Sequence, residues 1–244
     1  MFPILYHAHH SLYTEDLEMW IELAKDYKGP VLELGCGTGR VLLSIVQTGR
    51  KFYGLDIDLK MLSVLKENMC IELQPWVKIL QADMTNFYLD LDFGLVLLPC
   101  NTYSTLSISE RKSTLSCAYS HLNNGGVLAI SLPNPSLLEH ISDREEAELE
   151  EVFPHPLDGE PVQVSSAWKR KGQKFIVSWF YDHLSADGGF QRLSSETRYN
   201  LNPVQTALDE IQDAGFKRFS VYGDFDRSTY TSDSPHLIIL AVKI

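Results

Sequence analysis

Three glycines at alternate positions, Gly35, Gly37 and Gly39, follow an apolar run from Val31 to Leu34 and precede a helix-like stretch from Val41 to Val46. A strand that turns into a helix on three residues without Cβ atoms brings bare backbone to a ligand. It also points the unpaired N–H groups of the helix N-terminus at that ligand. The spacing narrows the choice of ligand. The dinucleotide fingerprint Gly-x-Gly-x-x-Gly would put its third glycine where this chain has Arg40. Glu33 stands two residues before the first glycine. Its carboxylate is no help to a pyrophosphate, but it suits a ligand carrying an ammonium and a sulfonium. A nicotinamide oxidoreductase on a related sheet is therefore disfavoured.

Further strands are expected at Phe52–Asp56, Val77–Gln81 and Phe93–Leu98. The first ends in an acid placed to take the two hydroxyls of a ribose. The second runs into Ala82-Asp83-Met84 and the third into Pro99-Cys100-Asn101-Thr102-Tyr103. Thr14 is expected to cap a first helix through Leu17, Trp20 and Ala24. Ser107 and Glu110 form a capping box, and Gly125-Gly126 turns into a strand at Val127–Leu132. Strands and helices thus alternate through residue 132, the pattern of a parallel sheet covered on both faces.

Residues 136–200 break that pattern. Glu145 to Glu151 reads as a solvated helix face. Pro161–Trp168, Phe175–His183 and Phe190–Tyr199 read as an antiparallel meander, with turns at Lys171-Gly172 and Asp187-Gly188-Gly189. Asn202, Pro203 and Gln205 are expected to open a last helix as cap, first position and box partner. Phe216–Tyr222 and His236–Val242 would be the final strands. This divides the chain into a core (1–135), an inserted meander (136–200) and a segment completing the core (201–244).

In Glu33-Leu-Gly-Cys-Gly-Thr-Gly, Gly54-Leu-Asp-Ile-Asp, Gln81-Ala-Asp-Met and His121-Leu-Asn-Asn-Gly-Gly-Val-Leu, over roughly residues 28–135, the chain resembles the class I S-adenosylmethionine-dependent methyltransferases. The resemblance implies an α/β fold with a doubly wound, mostly parallel seven-stranded sheet whose last strand is reversed. It also implies S-adenosylmethionine as cofactor. By position, Glu33, Gly35, Cys36, Gly37, Gly39 and Arg40 would hold the methionine part. Asp56 would take the ribose, with Ile57 and Met61 beside it. Asp83 and Met84 would meet the adenine, and Pro99 and Cys100 would line the wall beside the methyl group. Asn124 stands where many relatives have proline, a change in turn chemistry only.

Methyl transfer needs the acceptor to be positioned and water excluded, and a general base only if the attacking group starts protonated. Candidate catalytic residues are His9, His10, Tyr13 and Tyr103. Candidate acceptor-binding residues are Tyr6, Tyr13, Asn101, Tyr103, Trp168, Trp179, Tyr181 and Tyr199, whose rings could also be the insert's own core or a subunit contact. The segment around His9 reads alternatively as a solvated terminus. Asp224, Asp226 and Tyr230 read as an exposed loop. His7, His9 and His10 without a carboxylate make a weak metal set, and the four cysteines show no zinc-type spacing, so no metal site is expected.

A formal net charge of -11 argues against a nucleic-acid partner, which needs clustered Lys and Arg. Lys169-Arg170-Lys171 reads as a hairpin end. Unpaired cysteines fit a reducing cytoplasm. No signal-peptide pattern and no apolar run of ~20 residues is seen, so no membrane association is expected. The function expected is methyl transfer to N or O of a small-molecule acceptor, with a homodimer through the insert as a possible assembly. The alternative is a cofactor-binding sensor or scaffold without transfer activity; a protein or nucleic-acid methyltransferase fits the charge less well.

Overall fold

The computed structural model describes residues 1–244. Its central sheet has seven strands in the order β10-β11-β5-β4-β1-β2-β3. These are β1 (Val31–Leu34), β2 (Phe52–Asp56), β3 (Val77–Gln81), β4 (Phe93–Leu98), β5 (Leu122–Pro133), β10 (Arg218–Tyr222) and β11 (His236–Val242). β1 pairs with β2 and β4 in parallel, and β11 runs antiparallel between β5 and β10. β1 and β4 are buried along their whole length. Alternate side chains therefore feed two cores on opposite faces, Val31, Leu95 and Leu97 on one and Leu32, Val96 and Leu98 on the other. The chain order reverses between β1 and β4, so the crevice beyond their carboxyl ends is where an open α/β sheet takes its ligand.

Helices cover both faces: α2 (Leu17–Asp26), α3 (Arg40–Ile45), α4 (Leu59–Asn68), α6 (Ile108–Ser120) and α8 (Val204–Asp213). Two single-turn helices, α5 (Thr102–Thr105) and α7 (Pro135–Leu138), follow β4 and β5. The capping box forms as expected: Ser107 Oγ accepts from Glu110 N–H, and Glu110 Oε2 accepts from Ser107 N–H at 2.7 Å.

Two other caps differ from expectation. α2 begins at Leu17 behind Asp16, not at Thr14, and the Asp16 carboxylate is drawn instead to Trp20 Nε1 at 2.9 Å and to Arg40. α8 begins at Val204 behind Pro203, and Gln205 donates to Asp209 Oδ1 one turn on instead of closing a box.

The insert is a separate four-stranded antiparallel sheet of β6 (Arg144–Pro154), β7 (Pro161–Lys171), β8 (Lys174–Leu184) and β9 (Phe190–Asn200). β6 corrects the helical reading of Glu145–Glu151. The acids lie on an edge strand, where charge blunts open strand edges, and Arg144 pairs with Glu150 at 2.7 Å and Glu148 at 3.4 Å. The N-terminal segment is also ordered. α1 (Phe2–His10) lays Leu5 against Phe153, Val162, Val164 and Tyr181 of the insert. The segment that reads alternatively as a solvated terminus is thus held against the insert. No helix is long and apolar enough to cross a membrane.

Candidate active site

The glycine turn leaves β1 and enters α3. Gly39 has φ +86°, which strains any residue with a Cβ, and a Cβ there would lie 2.2 Å from Leu65 Cδ1 and push that side chain aside. Gly37 has φ +53° and no atom within 4 Å of where its Cβ would be, so its bare backbone opens onto the groove. The turn is clasped from β2: Asp56 Oδ2 accepts from Gly37 N–H at 2.7 Å, and Oδ1 accepts from Asp58 N–H at 2.8 Å. Each carboxylate oxygen keeps a further acceptor position toward the groove.

Glu33 lies beneath the turn and is buried, and its Oε2 has no hydrogen-bond partner in the protein. Burial pushes its carboxyl up to about 8, against the pull of Arg40. A buried acceptor that the protein does not satisfy calls for a donor from a ligand. Further along the strand ends, Ile57 is largely exposed and Met61 and Met84 are half-buried, giving apolar surface for a flat ring. Asp83 is exposed, and its Oδ1 accepts from both the N–H and the hydroxyl of Thr85, which holds its carboxyl below the usual range. The orphaned acid, the bare turn, the ribose-height carboxylate and the apolar rim fit the parts of S-adenosylmethionine: ammonium, methionine chain, ribose and adenine.

Next to this groove lies a cavity of about 430 Å³. Its floor is the crevice beyond β4 and β5, with Cys100, Asn101, Thr102 and Ser131. α1 and the segment after it supply Phe2, Tyr6, His10 and Tyr13, and the insert supplies Trp179, Tyr181, Ser195, Thr197 and Tyr199. Strand alternation explains the last group. Trp179 and Tyr181 of β8 stand opposite Ser195 and Leu193 of β9, all on the sheet face turned to the core. Phe225 and His236 close the far side, their rings 4.5 Å apart. The loop after β10 is therefore a cavity wall and not simply an exposed loop. Tyr230 of the same loop donates to Asn134 Oδ1 at 2.7 Å.

Arg40 joins groove and cavity. It makes a bidentate pair with buried Asp16, at 2.5 and 2.7 Å, and donates to the Tyr13 carbonyl at 2.9 Å and to Cys100 Sγ at 3.0 Å. Its charge is matched inside the protein by Asp16. Cys100 and Asn101 both take left-handed backbone, φ 58° and 61°. This conformation costs about 1–2 kcal/mol for Cys100 and less for Asn101, a residue that tolerates it, and such conformations gather at functional sites. Cys100 opens to the cavity but is ringed by protein atoms, and burial pushes its thiol up to about 11. Pro99 beside it is buried.

Burial lowers His10 to about 3, helped by His9 and Arg40, and its ring lies tilted against Tyr6 with centroids 4.1 Å apart. His10 is therefore neutral and a weak base, while Tyr199 is pushed up to about 12 by burial and stays protonated. His9 Nδ1 meets the Tyr181 hydroxyl at 3.1 Å and His7 Nδ1 meets Thr38 Oγ1 at 3.1 Å, so these two histidines turn to different partners, while the His10 ring stacks on His9 at 4.6 Å.

Two candidates fall outside the cavity. Tyr103 is buried, with its hydroxyl 2.6 Å from Glu210 Oε2, and Glu210 in turn holds Arg111 through two 2.8 Å bonds. Tyr103 serves a buried ion pair and offers nothing to an acceptor. Trp168 lies toward the other end of the insert, its ring under the Arg144 guanidinium at 3.5 Å and its Nε1 donating to the Ser142 carbonyl. Phe2, Phe225 and His236 are cavity residues that sequence reading did not single out.

Residues 31–126 match a family model described as "Methyltransferase domain". Over 248 aligned residues, covering 98% of this chain and 93% of the relative, the chain is 24% identical to the "Putative methyltransferase YqeM" of Bacillus subtilis (strain 168). Its fold is similar to that of an S-adenosylmethionine-dependent methyltransferase from Clostridium acetobutylicum ATCC 824, with TM-score 0.79 at 12% identity over 99% of this chain and 97% of the other. It is also similar to the sugar N-methyltransferase KedS8 from Streptoalloteichus sp ATCC 53650, with TM-score 0.78 at 18% identity over 100% and 92%. The strand order with its reversed β11 and the likeness to these solved structures show that the chain has the class I methyltransferase fold.

Proposed function

We propose that this chain transfers the methyl group of S-adenosylmethionine to a nitrogen or oxygen of a small-molecule acceptor, an amine foremost, held in the cavity beneath α1 and the insert. The observation that carries the reading is the junction of two sites. An aromatic-walled cavity of about 430 Å³ shares Arg40 and Cys100 with the wall of the glycine-turn groove. The KedS8 fold neighbour, a sugar N-methyltransferase, supports an amine acceptor.

S-adenosylmethionine supplies a methyl carbon already activated by its sulfonium, and the acceptor's lone pair forms the new bond as the C–S bond breaks and its electron pair passes to sulfur. The protein's part is to hold the two in line and keep water out, which supplies up to roughly 7–11 kcal/mol in well-oriented reactions. On this reading Glu33 holds the ammonium, Asp56 the ribose, Asp83 and Met84 the adenine, and Cys100 with Pro99 flanks the methyl group. The rings of Tyr6, Trp179, Tyr181 and Tyr199 face a centre that carries positive charge before and after transfer, which aromatic faces tolerate. Neutral His10 adds no repelling charge. No cavity carboxylate is free to act as a strong base, since Asp16 is tied to Arg40. The amine therefore enters neutral and loses its proton after transfer.

The reading is tested by incubating the protein with methyl-labelled S-adenosylmethionine and a panel of amines that includes amino sugars. Label in at least one amine, reduced several-fold at amine concentrations below KM when Trp179 is replaced by Leu, is the expected result. Tight cofactor binding with no transfer to any N or O acceptor would support the sensor or scaffold instead. We also propose a cytoplasmic location, on four free cysteines, testable by fractionation. A homodimer through the insert is supported by the exposed Leu149, Val152 and Phe190 and is testable by sedimentation.

A further inference from the structure

The turn from β6 to β7 brings together three metal-ligating side chains that the methyl-transfer site does not use. His155 Nδ1 lies 3.0 Å from Asp158 Oδ1, and His183 Nε2 lies 3.1 Å from Asp158 Oδ2. One donor atom from each residue falls within 4.8 Å of the other two. The two imidazoles stack with centroids 4.1 Å apart. Their backbones are fixed independently of any ligand. His155 N–H donates to the Glu160 carbonyl, Gly159 N–H to the His155 carbonyl and Glu160 N–H to Asp158 Oδ1. His183 is held at the end of β8 opposite Val162 of β7.

Two observations favour a cation over a plain hydrogen-bonded clasp. First, His155 is only 3% exposed and neither of its ring nitrogens has a hydrogen-bond partner. The approach of Nδ1 to Asp158 is close but not aligned for a hydrogen bond, as when donor atoms face a common centre and not each other. Second, neighbouring ligand atoms in a tetrahedral site with bonds of about 2.0–2.1 Å stand roughly 3.3 Å apart, near the 3.0 Å from Asp158 Oδ1 to His155 Nδ1 and the 3.3 Å hydrogen-bonding distance from the same oxygen to His183 Nε2. Two imidazoles and one carboxylate are a zinc-like donor set, whereas calcium and magnesium prefer all-oxygen cages. A neighbouring cavity of about 230 Å³, lined by both histidines, Leu5, Tyr181 and Arg192 among others, leaves room for water as a fourth ligand, and the Arg192 charge is answered by Asp182 at 2.7 Å.

We propose that His155, Asp158 and His183 bind a divalent transition-metal cation, zinc foremost, which ties the β6–β7 hairpin to β8. Leu5 and Tyr181 border this site, and Tyr181 also lines the acceptor cavity. The ion would therefore stiffen the seat of α1 on the insert and act as a structural clamp, not as part of methyl transfer.

The test titrates zinc chloride, and separately cobalt chloride, into the chelator-stripped full chain, read by calorimetry, visible absorption and thermal melting. Asp158→Asn and His183→Gln are compared with a His7→Gln/His9→Gln control that disables the other histidine run. The Asp158 side chain is 43% exposed, so its replacement does not threaten the fold. We expect one equivalent of zinc, a tetrahedral cobalt spectrum and a raised melting point. Affinity should fall at least ~10-fold in both site variants and stay unchanged in the control. No binding by the folded wild type would overturn the proposal. So would binding that survives both site substitutions and disappears in the control.

Discussion

Replacing Glu33 by Gln is expected to stabilise the protein while weakening its hold on S-adenosylmethionine. Glu33 is 3% exposed, and burial moves its carboxyl from an ordinary 4.5 to about 8. The folded state then keeps a proton between those values that the unfolded state has lost, so stability falls as pH rises through that window. The raised carboxyl thus runs opposite to a salt-bridged one. At about 1.4 kcal/mol per pH unit, the loss reaches about 3 kcal/mol near pH 7. Glutamine keeps the shape and never ionises, so Glu33→Gln should melt higher near neutral pH, by several degrees at ~2–4 °C per kcal/mol in a chain of this size.

Cofactor binding should move the other way. An ammonium beside Oε2 favours the charged carboxylate, and losing one charge-assisted hydrogen bond costs about 1.5–3 kcal/mol, or roughly 10- to 150-fold in affinity. The assay is thermal melting of both proteins from about pH 5 to about pH 8.5, with and without the cofactor. The wild type should lose stability across the range and the variant should not. A Glu33→Gln protein that melts lower than wild type at pH ~7.5 yet keeps full cofactor affinity would refute the reasoning.

Other consequences follow from the same structure. Tyr103→Phe should cost about 1–2 kcal/mol by denaturant titration, through the lost bond to Glu210, and leave kcat unchanged; a large loss of kcat would return Tyr103 to the catalytic site. Arg111→Met strands buried Glu210 and should cost about 3–5 kcal/mol, far more than any exposed arginine in the same measurement. Maleimide labelling followed by peptide mapping should find Cys70 modified first and Cys100 slowly near pH 7, because the protein atoms ringing Cys100 at the cavity mouth push its thiol up to about 11. Trp179→Leu should raise KM for an amine acceptor several-fold, within the ~0.5–2 kcal/mol of a cation–π contact, while cofactor affinity measured by calorimetry stays the same.

The core was legible because each of its signals is local. Four strands at Val31–Leu34, Phe52–Asp56, Val77–Gln81 and Phe93–Leu98 are bounded by turn or cap residues that also fix the groove, and they form where periodicity places them. What escaped depends on pairing across distance. Glu145–Glu151 looks helical by charge alone and becomes a strand because β7 offers a ladder. Tyr103 follows β4 just as Asn101 does, but α5 turns its ring inward to an ion pair that α6 and α8 build. Asp16 looks like a first-turn acid and is instead the partner of Arg40, 24 residues on. Phe225 and His236 meet the cavity only because β10 and β11 reverse beside β5. His183 reaches His155 and Asp158 only through the register of β8 on β7.

The most direct measurement is a crystal structure with S-adenosylhomocysteine bound. The account predicts its ammonium at Glu33, its ribose at Asp56 and its adenine between Ile57 and Met84. Its sulfur should face the cavity between Cys100 and the rings of Tyr6 and Tyr199. A ligand bound elsewhere, or bound in the groove with its sulfur turned away from that cavity, would contradict the claim that donor and acceptor meet there.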